Sequence, residues 1–343
     1  MFRYPEAQAI SSPLDPIDDM LVLLEYLTSE DYLISILTSR QGILRKDAQN
    51  RAVQIIPHVR TATAFLQQSL QTQAELSFLP AYYGILNLMK VYILVGAYHM
   101  NLPAQRRHGA TYPMEPRDSR NILTEHIVLK KKGAIPLFYR TIVGKALPAS
   151  RVSMAQVYPY VTSISAEYGL ATGKRHMVMR FKAEWKPHKH RPDKHIFTAK
   201  LMRPPGDTTL YTVRDFKALR QFKQDPTNKD IFIGRTFTGN PSPTDSTFRA
   251  QFLPFMLYGF HTDTFDVPYC SRRIYLPEEL PIALLFFHVS NVVRYKPETL
   301  YKIRNSRFWP MLAAARQHSL LRMLVLAWSF LHNRNLVLSH KHE

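Results

Sequence analysis

The sequence predicts an α+β protein, and three observations carry that prediction. Apolar residues recur at helical spacing near both ends of the 343-residue chain. The middle of the chain instead contains short runs of β-branched and aromatic residues, separated by turn-like segments rich in Gly and Pro. An apolar content of 45% with 21% charged residues is typical of a chain that buries a core rather than of a disordered one.

The N-terminal segment, residues 1–105, is predicted to be helical. The expected helices cover residues 17–39, as one helix or two short ones, 47–73 and 77–100. Pro57 should kink or break the second of these, because proline removes a helical hydrogen bond. Pro80 falls in the first turn of the third helix, where a missing N–H costs little.

The middle region, residues 106–270, is predicted to consist mainly of strands. The runs with strand composition are residues 136–143, 157–163, 176–185, 195–202 and 230–238. One helix is expected at residues 213–224, because Phe216, Leu219 and Phe222 share a helical face.

Helical spacing returns in the C-terminal segment, residues 271–343. The predicted helices cover residues 277–293, 297–303 and 308–331. Because helical segments flank a strand-rich middle, we expect the two ends of the chain to pack together as one helical body. The middle region would then be inserted between them.

The charge of the chain is concentrated in that middle region. Of a net charge of +19, residues 100–260 contribute 27 basic and 11 acidic side chains, a net of +16. Such a field attracts polyanions, so we expect nucleic acid, DNA or RNA, to bind through its backbone phosphates. A scaffold whose basic face binds an acidic protein subunit is the alternative. The candidate contact residues are Lys182, Lys186, Lys189, Arg191, Lys194, Lys130, Lys131, Lys132, Arg106, Arg107 and His108.

Cysteine usage and hydropathy bear on the compartment. A lone cysteine, Cys270, excludes a disulfide framework and agrees with a reducing cytoplasm. No export signal is expected, and the apolar run at residues 76–98 is interrupted by Pro80, Asn87 and Lys90, which favours a buried helix over a membrane span. A Gly-rich phosphate loop is missing from the sequence, so no cofactor is expected.

The stretch KAEWKPHKHRPDKH, residues 182–195, raises the question of a metal site. His188, His190 and His195, with Asp193, are residue types that bind zinc. Five cations interleaved with them would repel a divalent ion, so we expect no metal and interpret the stretch as the exposed tip of a phosphate-facing hairpin.

Two nuclease patterns leave the question of catalysis open. Glu184-Trp185-Lys186, with Glu167 before it, resembles the acid and Glu-x-Lys of Mg²⁺-dependent nucleases, and Asp215-Phe216-Lys217 repeats the spacing. The Arg–His spacing of metal-independent HEPN ribonucleases occurs at Arg51/His58, Arg120/His126 and Arg334/His340. Both spacings occur at about the frequency that composition alone gives, so no catalytic residue is assigned.

Two segments resemble the YaaC-like family of bacterial proteins. The first is LSFLPAYYGILNLMKVYILVGAYHM followed by HGATYP at residues 108–113, and the second is LPEELPIALLFFHVSNVVRYKPE, which ends at Glu298. The resemblance implies a cytoplasmic bacterial protein and implies no activity. From the residues alone, Arg294 and Lys296 complement the carbonyl end of a helix, or Arg294 binds a phosphate or carboxylate. The resulting expectation is a polyanion-binding protein, a component of a multi-protein system such as phage defence.

Overall fold

A computed structural model describes residues 6–12, 15–96, 99, 107–113, 121–174, 178–203, 207–216, 219, 222–238, 264–268 and 277–340. These residues form an α+β protein, as the sequence predicts. The chain separates into two compact units. The larger unit contains Ser12–Arg175 and Pro277–His332, and the smaller unit contains Met1–Ser11, His176–Leu276 and Asn333–Glu343.

The secondary structure of this part of the chain is mainly helical. The helices are α1 (Pro16–Tyr26), α2 (Glu30–Ser39), α3 (Arg45–Gln71), α4 (Phe78–Val95), α5 (Ala134–Val143), α6 (Ser165–Thr172), α7 (Glu279–Tyr295), α8 (Pro297–Arg304), α9 (Trp309–Ala314) and α10 (Leu320–His332). A π-helical turn, Ala315–Ser319, joins α9 to α10. The strands are β1 (Glu6–Ser12), β2 (Ala110–Thr111), β3 (His126–Leu129), β4 (Ser150–Ser153), β5 (Val178–His188), β6 (Arg191–Leu201), β7 (Lys223–Gln224), β8 (Ile231–Thr238), β9 (Thr264–Pro268) and β10 (Arg334–His340).

Helix α4 lies at the centre of the larger unit. It packs against α3, α5, α7 and α10, and it is apolar on nearly every side because nearly every side is buried. Among the described residues, α4 is the one helix that is long and apolar enough to cross a membrane. However, 78% of its residues are buried inside the protein. Gly84 permits the close approach of α3, since a Cβ there would lie 2.5 Å from a methyl carbon of Leu66.

Both ends of the chain build this helical body, as predicted. Helix α10 packs against α1, α2 and α4, and α7 packs against α4. The three-stranded antiparallel sheet β2–β3–β4 and helices α5 and α6 belong to the same unit, so the predicted boundary between residues 105 and 106 falls inside it. Ile122, Ile127 and Phe138 are fully buried, which explains why this part of the middle region joins the larger core.

The smaller unit contains a five-stranded antiparallel sheet with the strand order β7-β8-β6-β5-β9, and a two-stranded sheet of β1 and β10. The predicted strands at residues 176–185, 195–202 and 230–238 are confirmed as β5, β6 and β8. One face of the five-stranded sheet buries an apolar cluster. Its members are Met179, Phe181, Phe197, Ala199, Leu201, Tyr211, Phe216, Leu219, Phe222, Phe232 and Val267.

Two runs predicted as strands are helical instead. Residues 136–143 belong to α5, where Pro136 occupies the first turn and its missing N–H leaves no helical hydrogen bond unmade. Residues 157–163 form two 3₁₀ turns, Tyr158–Tyr160 and Thr162–Ile164, and Pro159 has the fixed φ that such a turn needs. β-branched and aromatic composition misled the prediction at both places.

Other elements also differ from the prediction. Within the helix expected at residues 213–224, Val213–Asp215 forms a 3₁₀ turn, and residues 217–218 and 220–221 lie outside the described residues. Phe216, Leu219 and Phe222 do share one apolar core. Strands β1 and β10 occupy ends predicted to be helical. Helix α10 ends before β10 at Asn333, which has a left-handed φ of 49° that Asn tolerates better than most residues. Helix α3 continues through Pro57.

Candidate functional site

The predicted basic hairpin is present, and its turn consists of Lys189 and His190. The strands pair closer to the tip than expected, with Pro187 opposite His195. Lys189 and Arg191 are exposed at the tip. The exposed tip is therefore present, with a shorter turn than the sequence indicated, and its contact with phosphates stays a prediction.

The outward face of this hairpin carries cations at alternate positions. Phe181 points into the apolar cluster, so Arg180, Lys182 and Lys186 point to the opposite face of β5. Lys182 lies directly opposite Lys200 of β6. Like charges at directly opposite positions destabilise a sheet, so the fold itself does not explain this pair. We call Arg180, Lys182, Lys186, Lys194 and Lys200 the basic sheet face.

Aromatic residues contribute little to that face. Phe181, Phe197, Phe216 and Phe232 are fully buried in the apolar cluster. Trp185 lies opposite Phe197 on the same inner side and is half-buried. Stacking on bases is therefore not available to these rings.

The histidines of the hairpin do not converge. The rings of His188 and His190 are 6.3 Å apart, and His188 Nδ1 already accepts the backbone N–H of His190 at 3.2 Å. His195 lies on β6 opposite Pro187. Among the described residues, no group of three His, Cys, Asp or Glu side chains is placed to hold a metal ion.

The nuclease patterns are placed as follows. In the Glu-x-Lys pattern, Lys186 Nζ forms an ion pair with Glu184 Oε2 at 3.5 Å. Glu167, the other acid of that pattern, belongs to the other compact unit. Arg51 Nη1 donates to the carbonyl oxygens at the end of α4, the shortest at 2.6 Å to Val95, so this guanidinium has a structural task. Arg334 lies on a strand rather than on a helix. Arg120 lies outside the described residues.

Arg107, His108 and the lysine run 130–132 lie together in the larger unit. Lys130 N–H donates to the Gly109 carbonyl, and the first two N–H groups of α5 donate to the carbonyls of Arg107 and His108, all three at 2.9 Å. Gly109 and Gly133 both have positive φ, and a Cβ on Gly133 would lie 2.3 Å from the Gly109 Cα. Arg107 and the three lysines are exposed. Arg106 lies outside the described residues.

The predicted contact residues are thus divided between the two units. Lys182, Lys186, Lys189, Arg191 and Lys194 belong to the smaller unit, and the remaining described ones belong to the larger. The charge divides equally, with a net of +8 in residues 100–175 and +8 in residues 176–260. The predicted middle region is therefore divided between the two compact units rather than forming one of them.

A second polar cluster, which sequence reasoning did not assemble, lies where α4 meets the end of α7. Tyr82 OH lies 2.6 Å from His108 Nδ1, and their rings stack at 5.6 Å between centroids. Arg294 donates to Tyr83 OH at 3.3 Å and lies over that ring, 5.7 Å from its centroid. His58 Nδ1 lies 2.8 Å from Asn87 Oδ1 and donates its proton to that oxygen, since Asn87 Nδ2 donates to the Tyr83 carbonyl.

Positive charge dominates this second cluster. Burial, together with the charges of Arg294 and Lys90, lowers the pKa of His108. Burial also lowers the pKa of Lys90 and that of His58, and the charge of Lys90 acts on His58 in the same direction. Among the described residues, no carboxylate is hydrogen-bonded to or ion-paired with these four side chains. We call Lys90, His108 and Arg294 the cation triad.

A third cluster lies nearby, around His288 of α7, and is largely buried. His288 has 0% exposure; its Nε2 lies 2.6 Å from Glu125 Oε2, and its Nδ1 lies 2.8 Å from Tyr158 OH. Tyr112 donates to the same carboxylate at 2.5 Å, and Lys296 Nζ lies 3.7 Å from Glu125 Oε1. We call these five residues the Glu125 network.

Opposing effects act on the carboxylate of this network. Burial raises the pKa of Glu125, but the hydrogen bonds from His288 and Tyr112 and the charge of Lys296 outweigh burial and leave that pKa below its ordinary value. The carboxylate in turn raises the pKa of Tyr112, in addition to burial. The only sequence signal for the network was a lone histidine in the apolar run LLFFHVSN.

Comparison with models of protein families shows the family of this chain. The family model described as YaaC-like Protein matches residues 25–331. The chain belongs to the YaaC-like family. No protein of curated function and no solved structure gave a match. The two segments that resemble this family, around α4 with residues 108–113 and around α7, are the ones that the fold brings together at the cation triad.

Proposed function

We propose that this YaaC-like protein binds nucleic acid through its backbone phosphates, using the basic sheet face. The observation that carries the proposal is the Lys182–Lys200 pair. These exposed lysines face each other across β5 and β6 with no gain to the sheet, whereas a polyanion along the strands would neutralise both.

The neighbouring cations extend this surface. Arg180 and Lys186 are exposed on the same face of β5, and the ion pair of Lys186 with the partly buried Glu184 contributes little because Lys186 is 54% exposed to water. Because the aromatic rings are turned inward, recognition rests on phosphates and is sequence-independent. DNA and RNA are both candidate ligands.

We also propose a cellular setting for this activity. We infer that the protein acts in the bacterial cytoplasm, where nucleic acids are found and where a lone cysteine stays reduced. Binding without base specificity suits one component of a multi-protein system such as phage defence, in which another subunit supplies recognition or cleavage.

The test compares two variants with the same loss of charge. The triple variant Lys182→Thr, Lys186→Thr, Lys200→Thr removes three cations from the basic sheet face, and Arg45→Gln, Lys46→Gln, Arg60→Gln removes three exposed cations from α3. Affinity for a 30-mer duplex and for a single-stranded RNA is measured by fluorescence anisotropy at several salt concentrations.

If four phosphates are neutralised, wild-type affinity falls about 10²-fold between 50 and 200 mM salt. The sheet variant should bind at least about tenfold more weakly and show a salt slope smaller by about two to three. Equal losses in both variants would show that net charge alone causes binding. Negligible affinity of the wild type at low salt would favour the alternative of a scaffold that binds an acidic protein. Cleavage of the nucleic acid would indicate a nuclease, a metal-dependent one if EDTA stops the cleavage and a metal-independent one if it does not.

A further inference from the structure

We propose that the cation triad is a binding site for one phosphate group of a small phosphorylated ligand. This site lies in the larger unit, and it does not depend on the nucleic-acid function of the basic sheet face. Arg294 of α7 and His108 of the segment before β2 meet around Tyr83, whose ring centroid lies 5.7 Å from the guanidinium and 6.3 Å from the His108 ring centroid. Lys90 of α4 lies close enough for its charge to lower the pKa of His108.

The geometry holds Arg294 in place while leaving donors free. Its Nη1 donates to Tyr295 OH at 3.2 Å and its Nη2 donates to Tyr83 OH at 3.3 Å. The guanidinium also lies over both rings, 5.2 Å and 5.7 Å from their centroids. Two of its five N–H groups are used in this way, so three remain for an anion, enough for a bidentate contact.

His108 is oriented by Tyr82. Tyr82 is 1% exposed, and its hydroxyl donates most favourably to His108 Nδ1, since a buried hydroxyl needs an acceptor. The neutral imidazole then carries its proton on Nε2. His108 is only half-buried, so this N–H is a donor available to a ligand at neutral pH.

Lys90 supplies the second full charge. It is half-buried on α4, one turn after Asn87, and no hydrogen-bond or carboxylate partner is present for it among the described residues. Removing an ammonium from water without a counter-charge costs free energy. A bound anion would remove that cost.

The charge balance favours phosphate over carboxylate. Lys90 and Arg294 carry two positive charges, and a phosphate monoester near neutral pH carries close to two negative ones. A carboxylate would leave one charge unmatched. Tyr295, which is 46% exposed beside Arg294, adds a ring on which a nucleoside base could stack, so nucleotides and sugar phosphates are separate arms of the test.

Binding is measured by isothermal titration calorimetry at low ionic strength, with inorganic phosphate, AMP and ribose 5-phosphate as probes. We expect the wild type to bind at least one of them, with Arg294→Gln and Lys90→Gln each at least tenfold weaker. Arg294→Lys keeps the charge but loses the two-point contact, so a smaller loss of about threefold is expected. Tighter binding of AMP than of ribose 5-phosphate would assign the base to Tyr295.

The matched control is Arg304→Gln, which removes an exposed arginine of α8 that has a carboxylate partner, Glu75, at 2.8 Å. It should retain wild-type affinity. Circular dichroism melting of each variant shows that the fold is kept. Absence of binding by the wild type up to about 10 mM probe, or equal losses in Arg294→Gln and Arg304→Gln, would overturn the proposal.

A second measurement uses sulfate, which stays a dianion from pH 5 to pH 8. Because the pKa of His108 lies below its ordinary value of 6.5, the ring is neutral at pH 7 and gains a charge as the pH falls. Sulfate affinity should therefore rise on acidification, and His108→Gln should lose part of that rise while keeping most of the affinity at pH 8. A wild-type sulfate affinity that does not change with pH would remove His108 from the site.

Discussion

Arg294 and Lys296 lie two residues apart at the end of α7, yet the fold surrounds their charges differently. Lys296 faces the buried carboxylate of Glu125 and lies 4.8 Å from the ring centroid of Tyr112. Arg294 faces the hydroxyl groups of Tyr83 and Tyr295, which orient a cation without neutralising it. The difference teaches that one cation completes a structural network, while the other keeps its charge available for a ligand.

The largest effect is expected from removing the carboxylate of Glu125, which lies beside Lys296 and not beside Arg294. Glu125→Gln keeps the shape of the side chain but leaves Lys296 and His288 without their acceptor charge. We expect the free energy of unfolding at pH 7 to fall by about 3 kcal/mol, measured by urea denaturation. Glu75→Gln removes a carboxylate whose partner Arg304 is 60% exposed, and it should cost less than about 1 kcal/mol. Equal losses in the two variants would contradict the special role of the buried carboxylate.

The same variant predicts a pH dependence with a definite sign. Since the folded-state pKa of Glu125 is depressed, its contribution to stability is present above the ordinary value of 4.5 and is lost as the pH falls through the lower folded value. Wild-type stability should therefore drop on acidification below about pH 4.5 more steeply than that of Glu125→Gln. Parallel pH profiles for the two proteins would show that the pKa of this carboxyl does not differ between folded and unfolded states.

A smaller effect is expected at the other side of His288. Tyr158→Phe removes the hydroxyl 2.8 Å from Nδ1 and leaves that nitrogen buried without a partner. We expect a loss of about 1–2 kcal/mol in the free energy of unfolding. Tyr301→Phe, on a residue that is 70% exposed, is the control and should change stability by less than about 0.5 kcal/mol. A stable Tyr158→Phe protein would mean that another group satisfies His288.

Stability and phosphate affinity, each measured for variants of Lys296 and of Arg294, show whether the two cations differ in role. Lys296→Gln should lower the free energy of unfolding by about 1 kcal/mol, because Glu125 loses a charge partner, and it should leave phosphate affinity unchanged. Arg294→Gln should do the reverse, with stability changed by less than about 0.5 kcal/mol and phosphate affinity lost. Calorimetry and urea denaturation of both variants separate the two roles. If both variants lost stability and phosphate affinity to the same extent, the two cations would share one role.

The smallest effect concerns the pair of like charges, Lys182 and Lys200, on the basic sheet face. Lys182→Thr removes the like-charge contact with Lys200, so we expect a gain of a few tenths of a kcal/mol in the free energy of unfolding together with weaker nucleic-acid binding. Lys46→Gln on α3 should change neither quantity measurably. A loss of stability in Lys182→Thr would show that the lysine is held there for the fold.

How far the sequence predicts this fold depends on whether the pattern is local. Helices such as α4 and α7 and the hairpin β5–β6 were predictable, because their apolar periodicity and turn signals lie within each segment. Helix α5 was not predictable, since proline in a first turn and a β-branched ending imitate a strand. Strands β1 and β10 were missed because their pairing joins residues more than 300 positions apart.

The candidate site residues were likewise predictable only where a local sequence pattern defines them. The lysines of the hairpin were predictable from charge density, because exposed cations need no partner to be recognised. The Glu125 network was not predictable, since Glu125, Tyr158 and His288 lie on separate segments and meet only in the folded core. For Arg294 the sequence left a structural and an anion-binding role open. The absence of an acidic partner among the described residues now favours the second.

The pairing of β1 with β10 has a consequence for biosynthesis. During translation β1 is made before its partner strand β10, which is completed only after some 320 further residues have been added. Throughout that interval the edge of β1 is open to other chains or to chaperones. A chain that stalls or terminates before residue 334 would therefore leave β1 without the strand that pairs with it in the finished protein.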